Sequence, residues 1–214
     1  QKLYSGYFIE THLNSSNKFK VLKKLLTIFE LEDELLIKYV DDIITASSII
    51  LNQNISDKIR ETFKSQIIKR GLLLGSSTSK YIRFTTSKIS KLTYINKNPN
   101  GWRGRESFLF EIQLYNKNKL MFRTVISPSD SNYETQRLSN FLSEIKGFKS
   151  PIGKKWLVNY SQSEEFIFLK TENFTDKDIE HEVNKILDKY TSVFEDVQNK
   201  FIEYSEKLTK MKHK

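Results

Sequence analysis

Apolar positions along this chain recur first at helical spacing, then at every second residue, then at helical spacing again. Asn14, Ser15, Ser16 and Asn17 offer caps ahead of KFKVLKKLLTIFEL, in which Phe19, Leu22, Leu25, Leu26 and Phe29 share one helix face. A second helix is expected over about residues 32–51, with Leu35, Leu36, Tyr39, Val40, Ile43 and Ile44 as its stripe. A third, opened by Asn54 and Ser56, carries Ile59, Phe63, Ile67 and Ile68 and ends near Gly71. The serine-rich stretch 75–79 reads as a hinge or loop.

From Lys80 onward the period changes to two and β-formers dominate. KYIRFTT, KLTYIN, SFLFEIQLYN and KLMFRTVIS predict an antiparallel meander, with the NKN of residues 116–118 as the turn between the third and fourth strands. Pro128 and Asp130 stop the fourth strand and lead to a helix over about residues 132–146. KKWLVNYS and EFIFLKT predict two more strands, joined by the polar residues 162–165.

The last segment opens on Thr175, Asp176 and Asp178 as a cap and runs from 175 to about 211 without Pro or Gly. Ile179, Val183, Ile186, Tyr190, Val193, Val197, Phe201, Tyr204 and Leu208 follow a heptad-like spacing with one stutter between Val197 and Phe201. That stripe suits either a coiled-coil or partner-binding helix or a long helix laid across the sheet. The fold class expected is α+β: an N-terminal helical layer, an antiparallel β-meander of about five to six strands, and a long C-terminal helix. The corresponding segments are 1–75, 76–174 and 175–214. No alternation of strands and helices points to a doubly wound sheet.

Composition narrows the chemistry. At 214 residues with 38% hydrophobic and 13% aromatic content the chain can bury a core, so disorder is expected at most near the ends. The absence of cysteine excludes disulfides, thiolate metal sites and cysteine nucleophiles. No apolar run approaches a bilayer span, so the expectation is no membrane and a cytoplasmic location. The chain begins at Gln1 with no signal-like pattern, which leaves an upstream portion open.

The net charge of +9 is uneven: residues 56–123 hold fifteen basic residues against four acids. Such a field favours polyanions, nucleic acid first among soluble ones, although solvated lysines serving solubility have the same composition. In the stretch NPNGWRGRESFLFEI, Arg103 and Arg105 stand beside Trp102. With Arg83, Arg123, Lys154 and Lys155 they are the candidate phosphate contacts, and Trp102 and Trp156 are either stacking surfaces or core.

Catalytic signals are weak. His12, His181 and His213 are far apart, no phosphate-cradling glycine loop occurs, and no serine sits in a GxSxG elbow. Asp41 and Asp42 are adjacent on a predicted helix, where their directions diverge by about 100°. Glu111 and Gln113 form a Glu-x-Gln triplet of the sort a metal-dependent nuclease places on a strand, but the preceding KLTYIN offers no aspartate partner. Alternation puts Leu109, Glu111 and Gln113 on one face and Phe108, Phe110, Ile112 and Leu114 on the other. No catalytic residue, no metal ligand and no cofactor are assigned.

In this order and spacing, KYIRFTTSKISKL, GWRGRESFLFEIQLYN, NKLMFRTVISPSDS and GKKWLVNYS resemble the region downstream of the nuclease core in a family of PD-(D/E)xK nuclease superfamily proteins. The resemblance covers about residues 80–161, with a fainter echo at Glu10, Thr11 and His12. It implies a bacterial or phage nuclease-like protein, often placed in antiphage genome defence, whose catalytic acids and Mg ion belong upstream of this stretch. No residue here matches the family's acid, Glu-x-Lys and glutamine motif, so none is carried over. The resulting expectation is a basic accessory module binding nucleic acid, DNA more than RNA. The alternative is an interaction module that self-associates or docks a protein through 175–212.

Overall fold

A computed structural model of the protein describes residues 34–93, 95–116, 119–129, 132–166 and 174–212. The chain divides into two compact units, Gln1–Lys58 and Ile59–Lys214. The helix expected over residues 19–29 lies outside the described residues.

In the first unit the described residues are helical. They belong to α1 (Glu34–Lys69), whose final turns fall in the second unit. The two helices expected on either side of residues 52–54 are therefore one. Asn52, Asn54 and Ser56 favour caps but cost a helix interior only a few tenths of a kcal/mol each, and no Pro or Gly stands there to end it. Asp41 and Asp42 lie on α1, with Asp42 exposed.

The second unit is built on an antiparallel sheet in the order β1 (Leu73–Leu74), β2 (Tyr81–Thr85), β3 (Phe108–Asn116), β4 (Lys119–Ile126) and β5 (Leu157–Glu165). The α+β class and the meander are as expected, with two corrections to the strands. KLTYIN is not a strand: Thr86 ends β2 and its hydroxyl accepts the Ile89 N–H at 3.1 Å, starting the short helix α2 (Ser87–Leu92). That cap drops Ile89 into the core, while Leu92 and Ile95, apolar residues of the segment read as a strand, are left exposed. The second correction is at the other edge, where β5 runs straight through the polar residues 162–165 instead of turning there. An edge strand tolerates them because Glu164 faces the helices and Ser163 and Glu165 face outward. The two-residue β1 carries no sequence signal of its own.

One face of the sheet is apolar. Ile82, Phe84, Phe108, Phe110, Ile112, Leu120 and Phe122 alternate onto it and all are buried. Against it lie α4 (Asp176–Lys189) and α5 (Thr191–Lys212), the expected C-terminal helix bent at Tyr190. At its start the Asp178 carboxylate accepts the backbone N–H and hydroxyl of Thr175 at 2.6 and 2.7 Å, and these bonds hold its carboxyl below the usual carboxylate range. Phe194 packs among Phe84, Phe110 and Phe122, and Phe201 meets Phe108 at 5.0 Å between ring centroids. The bend falls where the Tyr190 ring stacks on Phe122 at 4.0 Å and its hydroxyl donates to Glu164. Burial, then that hydrogen bond, pushes the Tyr190 hydroxyl well above its ordinary range. The helix α3 (Asn132–Leu142) joins the same layer through Phe141 on Tyr204 and Ser139 on Asn159. No helix of the described residues is long and apolar enough to cross a membrane.

Candidate nucleic-acid interface

The opposite face of the sheet holds the candidate residues. Strand register places Arg83, Glu111 and Arg123 side by side across β2, β3 and β4. Alternation then puts Tyr81, Gln113, Met121, Ser161 and Ser163 on the same face. Glu111 is buried and both its oxygens are taken: Oε2 accepts Arg83 Nε at 2.6 Å and Oε1 accepts an Arg123 Nη2 hydrogen. Arg83 also donates to the Ser76 carbonyl at 2.8 Å, and Arg123 to Gln113 Oε1 at 2.7 Å. The polar side of β3 thus holds a buried ionic cluster at Glu111. Arg83 and Arg123 share the single carboxylate of Glu111, with Arg83 buried and Arg123 half-buried.

Trp102 is also internal. At 7% exposure it packs with Leu109 and Val125, flanked by Trp156 and Val158, so its part is core and not a stacking surface. Its ring lies 4.9 Å from that of Trp156, which is half-buried. The Arg83 guanidinium sits 5.5 Å from the Trp102 ring and 4.5 Å from the Tyr81 ring. Tyr81, Arg83, Trp102 and Trp156 therefore form one continuous row across the face.

This row ends at a basic rim made by two loops. In the first, the buried Asn96 side chain donates to Ser127 Oγ at 2.9 Å and the Pro128 carbonyl at 2.5 Å, and accepts Asn98 N–H at 3.0 Å. Asn98 in turn accepts Asn100 N–H through its side chain and Gly101 N–H through its carbonyl. Arg105 has φ +60, a left-handed conformation costing about 1 kcal/mol for a side chain with a Cβ. Its backbone is locked there by its N–H on the Trp102 carbonyl and its carbonyl on Asn96 N–H. Glu106, the acid of this loop, is half-buried: its carboxylate lies against Gly104 and accepts the Ser76 N–H and hydroxyl. Lys97, Arg103 and Arg105 are left exposed.

The second loop carries Lys154 and Lys155, both exposed, directly before Trp156. Gly153 shapes it: with φ +104, an added Cβ would lie 2.3 Å from the Trp156 carbonyl oxygen. Gly153→Ala is expected to cost roughly 1–3 kcal/mol and to alter the near-ultraviolet circular dichroism of the tryptophan pair. An unchanged melting curve and spectrum would show that this turn does not hold Trp156.

Of the eight residues singled out from sequence, the structure gathers Arg103, Arg105, Lys154, Lys155 and Trp156 at one end of the sheet. Arg83 and Trp102 it buries, and Arg123, half-buried, it ties to Glu111 and Gln113. Sequence reading missed Lys97, Tyr81 and the loop supports Asn96 and Ser76. The alternation of KYIRFTT, which puts Tyr81 beside Arg83, was the available signal for one of them. Among the described residues no group of three or more His, Asp or Glu side chains could hold a metal ion. No protein-family model, curated protein or solved structure matches the chain.

Proposed function

We propose that the unit spanning residues 59–214 is a basic module that holds nucleic acid through its phosphates, accessory to a nuclease of the PD-(D/E)xK kind whose chemistry is done outside this stretch. The observation that carries the reading is the rim itself. Lys97, Arg103, Arg105, Lys154 and Lys155 are exposed on two loops joined by the Trp102–Trp156 contact, and the one neighbouring acid of the first loop, Glu106, is half-buried and bound to Ser76. Cations so placed gain by releasing counterions from a polyanion and supply affinity and orientation without base specificity.

Labelled DNA titrated with the protein should show affinity falling roughly 50- to 150-fold between about 50 and 200 mM salt, for about four neutralised phosphates. The double variant Arg103→Ala with Arg105→Ala should weaken binding and reduce the slope of log affinity against log salt by about 1.5. Affinity and slope unchanged in that variant would refute this rim as the contact.

A further inference from the structure

The same face suggests which form of nucleic acid the rim receives. Helices pack on the side of the sheet bearing Phe84, Phe108, Phe110 and Phe122. On the other side, Tyr81, Gln113, Met121 and Arg123 are only half-buried, and Ser161, Ser163 and Glu165 are exposed. Running from the rim along the face, Trp156 and Tyr81 bracket the buried pair Trp102 and Arg83, with Tyr81 set well away from the rim, across from Gln113. Two partly exposed rings thus stand on a fixed surface, each held from behind: Trp156 by Trp102, and Tyr81 by the Arg83 guanidinium at 4.5 Å and that of Arg123 at 6.0 Å. Gln113 lies directly across from Tyr81, its side-chain oxygen occupied by Arg123, so that its NH2 is left as a donor.

Resting on the function proposed above, the geometry points to a single-stranded occupant. The strand enters at the basic rim, where its phosphates meet Arg103, Arg105, Lys154 and Lys155. It then crosses this sheet face, with one base on Trp156 and another on Tyr81. Rings and cations distributed along one path are what an unpaired strand uses, because its bases are free to stack and every base has a face to offer. A duplex keeps its bases stacked on one another and could use the rim but not the rings. The charge of the rim disfavours an apolar or basic partner, and the two rings along the same path favour nucleic acid over an acidic protein.

The test compares a short labelled thymidine oligonucleotide with a duplex of equal length on the full chain. The single strand should bind at least about tenfold tighter, the value of one to two stacked bases, and should quench tryptophan emission where the duplex does not. Tyr81→Leu should lose about tenfold for the single strand with duplex binding and melting temperature unchanged, and Tyr81→Phe, which keeps the ring, should bind like the parent. A duplex bound as tightly as the single strand, or Tyr81→Leu binding it undiminished, would overturn the single-strand path and leave the phosphate rim standing. Binding of neither polymer would overturn both.

Discussion

A chain ending at residue 174 should fail to fold. The cut removes Ile179, Val183, Ile186, Leu187, Tyr190, Phe194, Val197 and Phe201, all buried. At about 1.5–3 kcal/mol for each buried apolar side chain, the loss is roughly 12–24 kcal/mol as an upper estimate. A domain's whole stability is about 5–15 kcal/mol. The cut also strips the cover from Phe84, Phe108, Phe110 and Phe122, whose ring contacts run to Phe194, Phe201 and Tyr190. The expected observation is loss of the cooperative thermal transition and binding of a hydrophobic dye, whereas a chain cut after Glu206 keeps every one of these side chains and its transition. A cooperative melt of the 1–174 chain would show that the sheet stands without its helices. The heptad-like stripe also bears on self-association. Tyr190, Val197 and Phe201 are consumed within the chain, so a dimer through 175–212 has to use the outward side of these helices, where Glu195, Asp196 and Glu203 are exposed.

How far the fold could be read in advance depended on whether the deciding interaction was local. The β3–β4 hairpin was legible because Phe108, Phe110, Ile112 and Leu114 alternate up to an NKN turn, and each of those signals lies within a few residues of the next. KLTYIN reads as a strand by its β-formers, but one hydroxyl, Thr86, starts a helix before it that takes up its first two residues. The polar run 162–165 reads as a loop until Tyr190 and Lys189, more than twenty residues later, are found bonded to Glu164. The site followed the same rule. Exposure of Arg103, Arg105, Lys154 and Lys155 could be inferred from their turn-rich surroundings, which need no distant partner. The fate of Arg83 and Arg123 was set by register with Glu111, across separations of 28 and 12 residues, and nothing nearby announces it. Trp102 sits in a glycine-rich turn that looks exposed, and only its packing on Leu109, Val125 and Trp156 makes it core.

Replacing Glu111 by alanine is expected to lower stability by about 3–5 kcal/mol, the usual loss when one member of a buried ionic cluster is removed. Its side chain is 5% exposed and those of Arg83 and Arg123 are 11% and 22%, so the two guanidiniums would face each other with little water to screen them. Of the hydrogen-bond partners described above, Arg83 would keep the Ser76 carbonyl and Arg123 would keep Gln113. In urea, at a slope of about 2 kcal/mol/M, the unfolding midpoint should fall by roughly 2 M. Replacing all three residues by leucine should recover most of the loss, since the penalty comes from stranded charge and not from lost attraction. The same variant separates structure from catalysis at the Glu-x-Gln triplet. Were Glu111 a metal ligand, Glu111→Gln would abolish magnesium-dependent cleavage while leaving the midpoint near that of the parent, because active-site carboxylates are commonly held at a cost to stability. With both oxygens bound by arginine, the expected pattern is the reverse: a lower midpoint for Glu111→Gln, smaller than for alanine, and no cleavage in either protein. A midpoint unmoved by Glu111→Ala would contradict the cluster as the anchor of this sheet face. The rings of Tyr81 and Trp102, which lean on Arg83, would then need another support.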